Sequence, residues 1–380
     1  MNLTFFDMKP STKHLLLTCV LMMGACAKGP LKQVHQRTYL LDHVSPFSSF
    51  STSFSYLTTD SQQRLYFGTR SGKVICVDSN NGKTLWQHRV DGGSVDTEVL
   101  VHEDGSFWVG TSKGYLYKFD HSKGKKPTQL WKTQLIGMPR GKMMESGGKI
   151  VVGTNQGFVF LVSENGEIKW KYKHRISGGQ MMIRGYAEPS TQNDRLFFAN
   201  SDGEIVALSM NQGTLLWKRN LEQTGVLRFK DISSLQWLRS DPTLMLVTSY
   251  EGNAAVYNRD GDLIHLFKEQ GMSSAPWIGE QGDRMIFAGK QSIENIDQES
   301  YIPLGNLSLP KGIRWSGWTQ AGQTWIGTSV DGWLYVVDQP MQEILWKYHL
   351  GRSIAPGVQV LDGKIWVLSS GGHLAAFAQR

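Results

Sequence analysis

Two short stretches carry residue types that could hold a metal ion: "SENGE" at 163–167 and "NRDGD" at 258–262, each a group of acidic, amide and hydroxyl side chains around a glycine. Such oxygen donors suit Ca²⁺, a hard cation that binds oxygen ligands almost exclusively. Neither stretch completes the spacing of a calcium loop. Polar turns ending in glycine recur at the same place in most of the repeats described below, so turn chemistry accounts for both. Cys76 stands alone in an apolar run, and His174 and His349 follow tryptophans near strand ends. No Ser/His/Asp order, phosphate-binding glycine loop or zinc spacing is present. The expectation is a protein with no catalytic, cofactor-binding or metal-binding residues.

The elements around these turns form a repeat. "NNGKTLWQHR" at 80–89 returns as "NQGTLLWKRN" at 211–220 and "PMQEILWKYH" at 340–349. Each unit has a short apolar strand, a polar turn closed by glycine, a second apolar strand, another turn, and a strand carrying an aromatic residue. The turn glycines Gly72, Gly114, Gly157, Gly203 and Gly252 lie 42, 43, 46 and 49 residues apart, and Gly332 and Gly372 lie 40 apart. Spacing of this size matches one four-stranded propeller blade. Runs such as "VICV" and "FVFLV" are too continuously apolar to have a wet face, and sheets stacked face to face around an axis cover both sides. Eight units are present, the sixth (284–300) degraded. The predicted fold is all-β: an eight-bladed β-propeller of four-stranded antiparallel blades. Trp86, Trp131, Trp170, Trp217, Phe267 and Trp346 are expected to wedge between neighbouring blades, each worth roughly 2–3 kcal/mol by buried area. The eighth unit lacks its outer strand, and "RTYLLD" at 37–42 is expected to supply it from the N-terminal side.

Residues 15–25, "LLLTCVLMMGA", follow Lys9 and Lys13 and are too short to cross a bilayer. They read as a secretory signal, and "MGAC" before residue 27 reads as a lipoprotein cleavage site with Cys26 as the lipidated, palmitate-bearing residue. The domain plan is a signal peptide over 1–25, a lipidated flexible tether over 26–36 and one propeller domain over 37–380. The formal net charge of +7 is spread along the chain, which argues against a nucleic-acid site.

Symmetry breaks in two places. "SGGQMMIRGYAEPS" at 177–190 precedes unit four and "NLEQTGVLRFKDISSLQWLRSDPT" at 220–243 precedes unit five. Both should emerge on one rim, with a composition suited to gripping a protein. The chain resembles the quinoprotein-type propellers and, through the lipidation motif, strand exchange and two loops, the BamB family of the outer-membrane β-barrel assembly machinery. The resemblance implies docking on a POTRA domain of BamA. "MMIRG" at 181–185 would contribute Met181, Ile183 and Arg184, and "RFKDIS" at 228–233 would contribute Arg228 and Asp231. Ser233 stands where the family usually has a second Asp. It further implies a non-catalytic assembly factor that supports folding and insertion of β-barrel precursors and contacts unfolded outer-membrane proteins, monomeric apart from its complex and lipid-anchored on the periplasmic face of the outer membrane. Two other readings keep the same fold. One is an adaptor of another envelope complex; the other is a quinone-dependent dehydrogenase, which would need a Ca²⁺ shell, a general base and, in the related enzymes, adjacent cysteines that Cys76 does not provide.

Overall fold

A computed structural model describes residues 29–38 and 56–379, apart from 122–125, 175–186, 224–228, 269–270, 310–311, 352 and 371. The described residues form eight four-stranded antiparallel sheets. Their inner strands are Thr58–Thr59, Leu100–Val101, Met144–Ser146, Ser190–Gln192, Ile232–Trp237, Trp277–Ile278, Trp315–Ala321 and Gln359–Leu361. The outer strands, in the same blade order, are Thr84–Arg89, Thr128–Gln134, Ile168–Lys173, Leu215–Asn220, Leu263–Phe267, Pro303–Ser308, Ile344–His349 and Leu31–Thr38. The sixth unit, degraded in sequence, still builds all four strands.

The middle strands of each sheet are buried on both faces, as their unbroken apolar runs require; Leu65 to Phe67 and Val74 to Val77 are examples. The apolar clusters show how the sheets are arranged. One joins Cys76 and Trp86 to Phe107 and Tyr117, the next joins Trp108 and Leu116 to Ile150 and Phe160, and each further cluster spans one pair of consecutive blades. The eighth joins Trp366 and Ala376 back to Leu65 and Ile75, so the ring closes. An eight-bladed β-propeller is thus established.

Register defines the seams between blades. In each of the first seven outer strands a β-bulge falls just before the docking position, as between Thr84 and Trp86 or Leu215 and Trp217. The residue after the bulge reaches the next blade. Trp131 Nε1 donates to Glu164 O (2.6 Å), Trp170 Nε1 to Met210 O (2.8 Å) and Trp217 Nε1 to Arg259 O (2.9 Å). Each indole covers the glycine of the receiving turn: a Cβ on Gly166, Gly213 or Gly261 would meet that ring at 2.8, 2.5 or 3.0 Å.

Two expectations change. Phe267 does wedge between blades five and six, edge-on to Phe287 at 5.0 Å, but the position just after the bulge, paired with Val256, is taken by His265 two residues earlier. In addition, the closing strand is Leu31–Thr38, antiparallel to His373–Gln379, rather than 37–42. Residues 31–36, assigned to the tether, therefore belong to the ring, and 39–42 lie outside the described residues. The physical reason lies in the pattern of an outer strand, which is half-exposed and in most blades carries one docking ring after a bulge. "QVHQR" at 33–37 supplies that: the bulge falls at Val34, and His35 sits over Gly82 of blade one.

Candidate docking rim

Met181, Ile183, Arg184 and Arg228 lie outside the described residues. What the structure does place is the base of each loop. The first leaves the outer strand of blade three at His174, whose N–H donates to Gly157 O (3.1 Å), and returns where Ala187 N–H donates to Ala199 O (3.1 Å). The second leaves blade four at Leu221, bonded to Gly203 O (2.9 Å), and enters blade five at Ile232, whose N–H donates to Asn200 O (3.2 Å).

Asn200 holds both bases together. It is 1% exposed; its Nδ2 donates to His174 Nδ1 (3.2 Å), and its Oδ1 accepts from the N–H groups of Asp202 and Glu204 (2.8 and 3.1 Å). One turn of blade four, Asn200–Gly203, therefore anchors the bases of both insertions. Sequence reading missed this residue because "NSDG" looks like any other hairpin turn; only the fold brings His174 and Ile232 onto it.

Asp231 and Ser233 are placed beneath the rim surface. Asp231 is 2% exposed and its carbonyl accepts from Tyr250 N–H (2.9 Å). Ser233 is 7% exposed and its Oγ donates to Met272 O (2.6 Å) at the seam with blade six. Both are buried in the wall of the ring: Asp231 lies just before the inner strand that begins at Ile232, and Ser233 is the extra residue of the β-bulge between Ile232 and Ser234. They lie at the base of the second loop.

The outward face beside them is built from other residues. Phe229 N–H donates to Glu251 Oε2 (3.1 Å), and Phe229 meets the Tyr250 ring edge-on at 5.8 Å. Lys290 of blade six pairs with Glu251 Oε1 (3.4 Å) and stands 5.0 Å from the Tyr250 ring. Lys230 is exposed next to them. An aromatic floor with paired charges at its border, built on rigid turns, matches the make-up of protein-recognition sites. Among the described residues no group of three His, Cys, Asp or Glu side chains is arranged to hold a metal ion.

Comparison with known proteins bears on the family and the fold. A family model described as outer membrane protein assembly factor BamB matches residues 47–127 and 70–283. The outer membrane protein assembly factor BamB of Yersinia pestis is 25% identical over 288 residues, covering 69% of this chain and 68% of that protein. The corresponding protein of Moranella endobia is 22% identical over 268 residues, covering 65% and 67%. The crystal structure of BamB from Moraxella catarrhalis superposes with a TM-score of 0.73 at 16% identity, covering 92% of this chain and 99% of that one.

Proposed function

The chain belongs to the family of outer membrane protein assembly factor BamB, and from that premise we propose that it is a non-catalytic, outer-membrane-associated assembly factor that grips a POTRA domain of BamA with its two adjacent rim loops. The observation that carries this reading is the shared anchor: Asn200 ties the base of the Met181–Arg184 loop to the base of the Arg228 loop, so one partner surface can meet both. Arg184 and Arg228 supply the charged contacts, Met181 and Ile183 the apolar ones. Asp231 and Ser233 set the height of the second loop. Lipidation of Cys26 tethers the ring to the periplasmic face of the outer membrane, a few residues before the closing strand begins at Leu31.

Contact with unfolded outer-membrane proteins is the second part of the proposal. The outer edge of each blade offers unpaired main-chain groups for strand addition. The bulges confine such pairing to the few residues that follow them.

Capture of purified BamA POTRA domains by the full mature chain tests this. Arg184→Ala and Arg228→Ala should each weaken capture with an unchanged melting temperature. Asp231→Ala should lower both. Undiminished capture by the double arginine variant would show that the partner binds elsewhere.

A further inference from the structure

Because the closing strand begins at Leu31, little chain separates the ring from its anchor. Gly29 already lies against blade seven, where a Cβ would collide with the Trp346 ring. Cys26 precedes it by three residues, a span of roughly 10 Å at full extension. An acyl chain on Cys26 therefore holds this corner of the ring close to a bilayer, and the ring could rest there on either rim or on its edge.

Reach and charge decide among the three. The closing strand Leu31–Thr38 is eight residues long, about 26 Å, and Gly29 sits at its start. The rim where outer strands end, from which both docking loops leave, is thus beyond the tether. The near rim carries the first and third turns of every blade, because the strands of each sheet alternate in direction. In blades seven, eight and one those turns and the strand ends beside them hold Asp60, Asp78, Asp338, Glu343 and Asp362, which outnumber Arg64, Lys83 and Lys364. An anionic surface repels that excess. The edge is its opposite. The outer strands Ile344–His349, Leu31–Thr38 and Thr84–Arg89 contain no Asp or Glu and carry Lys347, Lys32, Arg37 and Arg89. On the same three strands the bulge residue is aliphatic: Leu345, Val34 and Leu85 are 42, 47 and 48% exposed. One exposed aliphatic is ordinary, but three at one position on neighbouring blades make a stripe bordered by cations.

We propose that the ring stands edge-on against an anionic phospholipid bilayer, blades seven, eight and one down, with the bulge aliphatics at the interface and the cations on headgroup phosphates. Apolar side chains beside Lys and Arg are the make-up of an interfacial contact. Next to an acyl anchor such a contact has only to fix orientation. Blade four, whose Asn200 anchors both loop bases, lies opposite blade eight in a ring of eight, so this seating turns the docking loops away from the bilayer. The inference rests on the acylation of Cys26 in the reading above.

In the test, the acylated full mature chain is reconstituted into vesicles of phosphatidylethanolamine and phosphatidylglycerol at about three to one. A nitroxide is attached in turn to Val34→Cys, Leu345→Cys and Gln212→Cys; Cys76 is buried and stays unlabelled. The labels replacing Val34 and Leu345 should lose about threefold or more of their accessibility to an aqueous nickel chelate. The label replacing Gln212, exposed on the near rim of blade four, should keep its own. Lys32→Glu combined with Lys347→Glu, or about 0.5 M salt, should restore access at Val34→Cys with the melting temperature unchanged. Mass spectrometry of the N-terminal peptide reads acylation separately. If Cys26 is acylated and the Val34 and Leu345 labels stay as open as in detergent, the edge contact is wrong and the anchor stands; an unacylated Cys26 removes both. Shielding of the Gln212 label would show the ring lying on its acidic rim. Shielding at Val34 and Leu345 that persists in detergent and grows with protein concentration would show a second copy covering the edge. Either result overturns the proposal.

Discussion

Two arcs of the ring solve one packing problem with opposite residues. Between blades three, four and five an indole, Trp170 or Trp217, lies on a glycine of the receiving turn, Gly213 or Gly261. Between blades six and seven the docking position holds Gly305, and the receiving turn carries Met341, fully buried in the cluster that joins these blades and held at a φ of 58°. The carbonyl of Gln339 accepts there from Trp325 of its own blade (3.3 Å). Between blades five and six the exchange is partial: His265 faces Tyr301 at 4.7 Å, with Tyr301 at a φ of 61°. A seam thus requires one large side chain in the wedge and room opposite it. Which blade supplies it is open to exchange.

The largest effect should come from emptying a deeply buried wedge. Trp86, buried against Phe107 and His121, should cost about 3–5 kcal/mol on substitution by Ala, read from urea unfolding. Met341→Gly restores the turn residue of the regular arc, yet should destabilise by about 2–4 kcal/mol because it vacates the wedge. A neutral result would break the comparison.

Gly213→Ala sets a methyl group 2.5 Å from the Trp170 ring at a φ of 67° and should cost about 1–3 kcal/mol. Gly305→Ala, whose Cβ would meet only Pro340 O at 3.1 Å, should change stability by less than about 1 kcal/mol.

The smallest effect concerns His35, which takes the docking place at the closing seam. Burial, then the charges of Arg37 and Lys364, hold its imidazole below the ordinary value. The folded ring therefore prefers the neutral form. The stability this confers is complete above the unfolded value of about 6.5 and is lost as pH falls through it towards the depressed folded value. The melting temperature should drop between about pH 7.5 and 5.5, and His35→Phe should flatten part of that slope.

Much of this was legible beforehand. Glycine turns at intervals near forty, doubly apolar strands and recurrent tryptophans implied eight blades, and the two long insertions before units four and five implied a rim on one side. What could not be read was which residue does which job within that plan. His265 and Phe267 are both aromatic and two apart, and only the bulge before His265 decides between them. Asp231 and Ser233 look like loop residues until the start of the inner strand at Ile232 and the bulge at Ser233 bury them in the wall of the ring. Asn200 is one of several turn amides, and only its contacts with His174 and Ile232 distinguish it.

By itself the sequence determined the number of blades and the hairpins within them, because strand alternation and turn chemistry act over a few neighbouring residues. Tertiary structure alone decided that Leu31–Thr38 closes the ring and that Met341 rather than an indole fills one seam. Each of these depends on register and packing between strands from different units, where the fit of one side chain is set by a surface that its own neighbours in the chain do not contain.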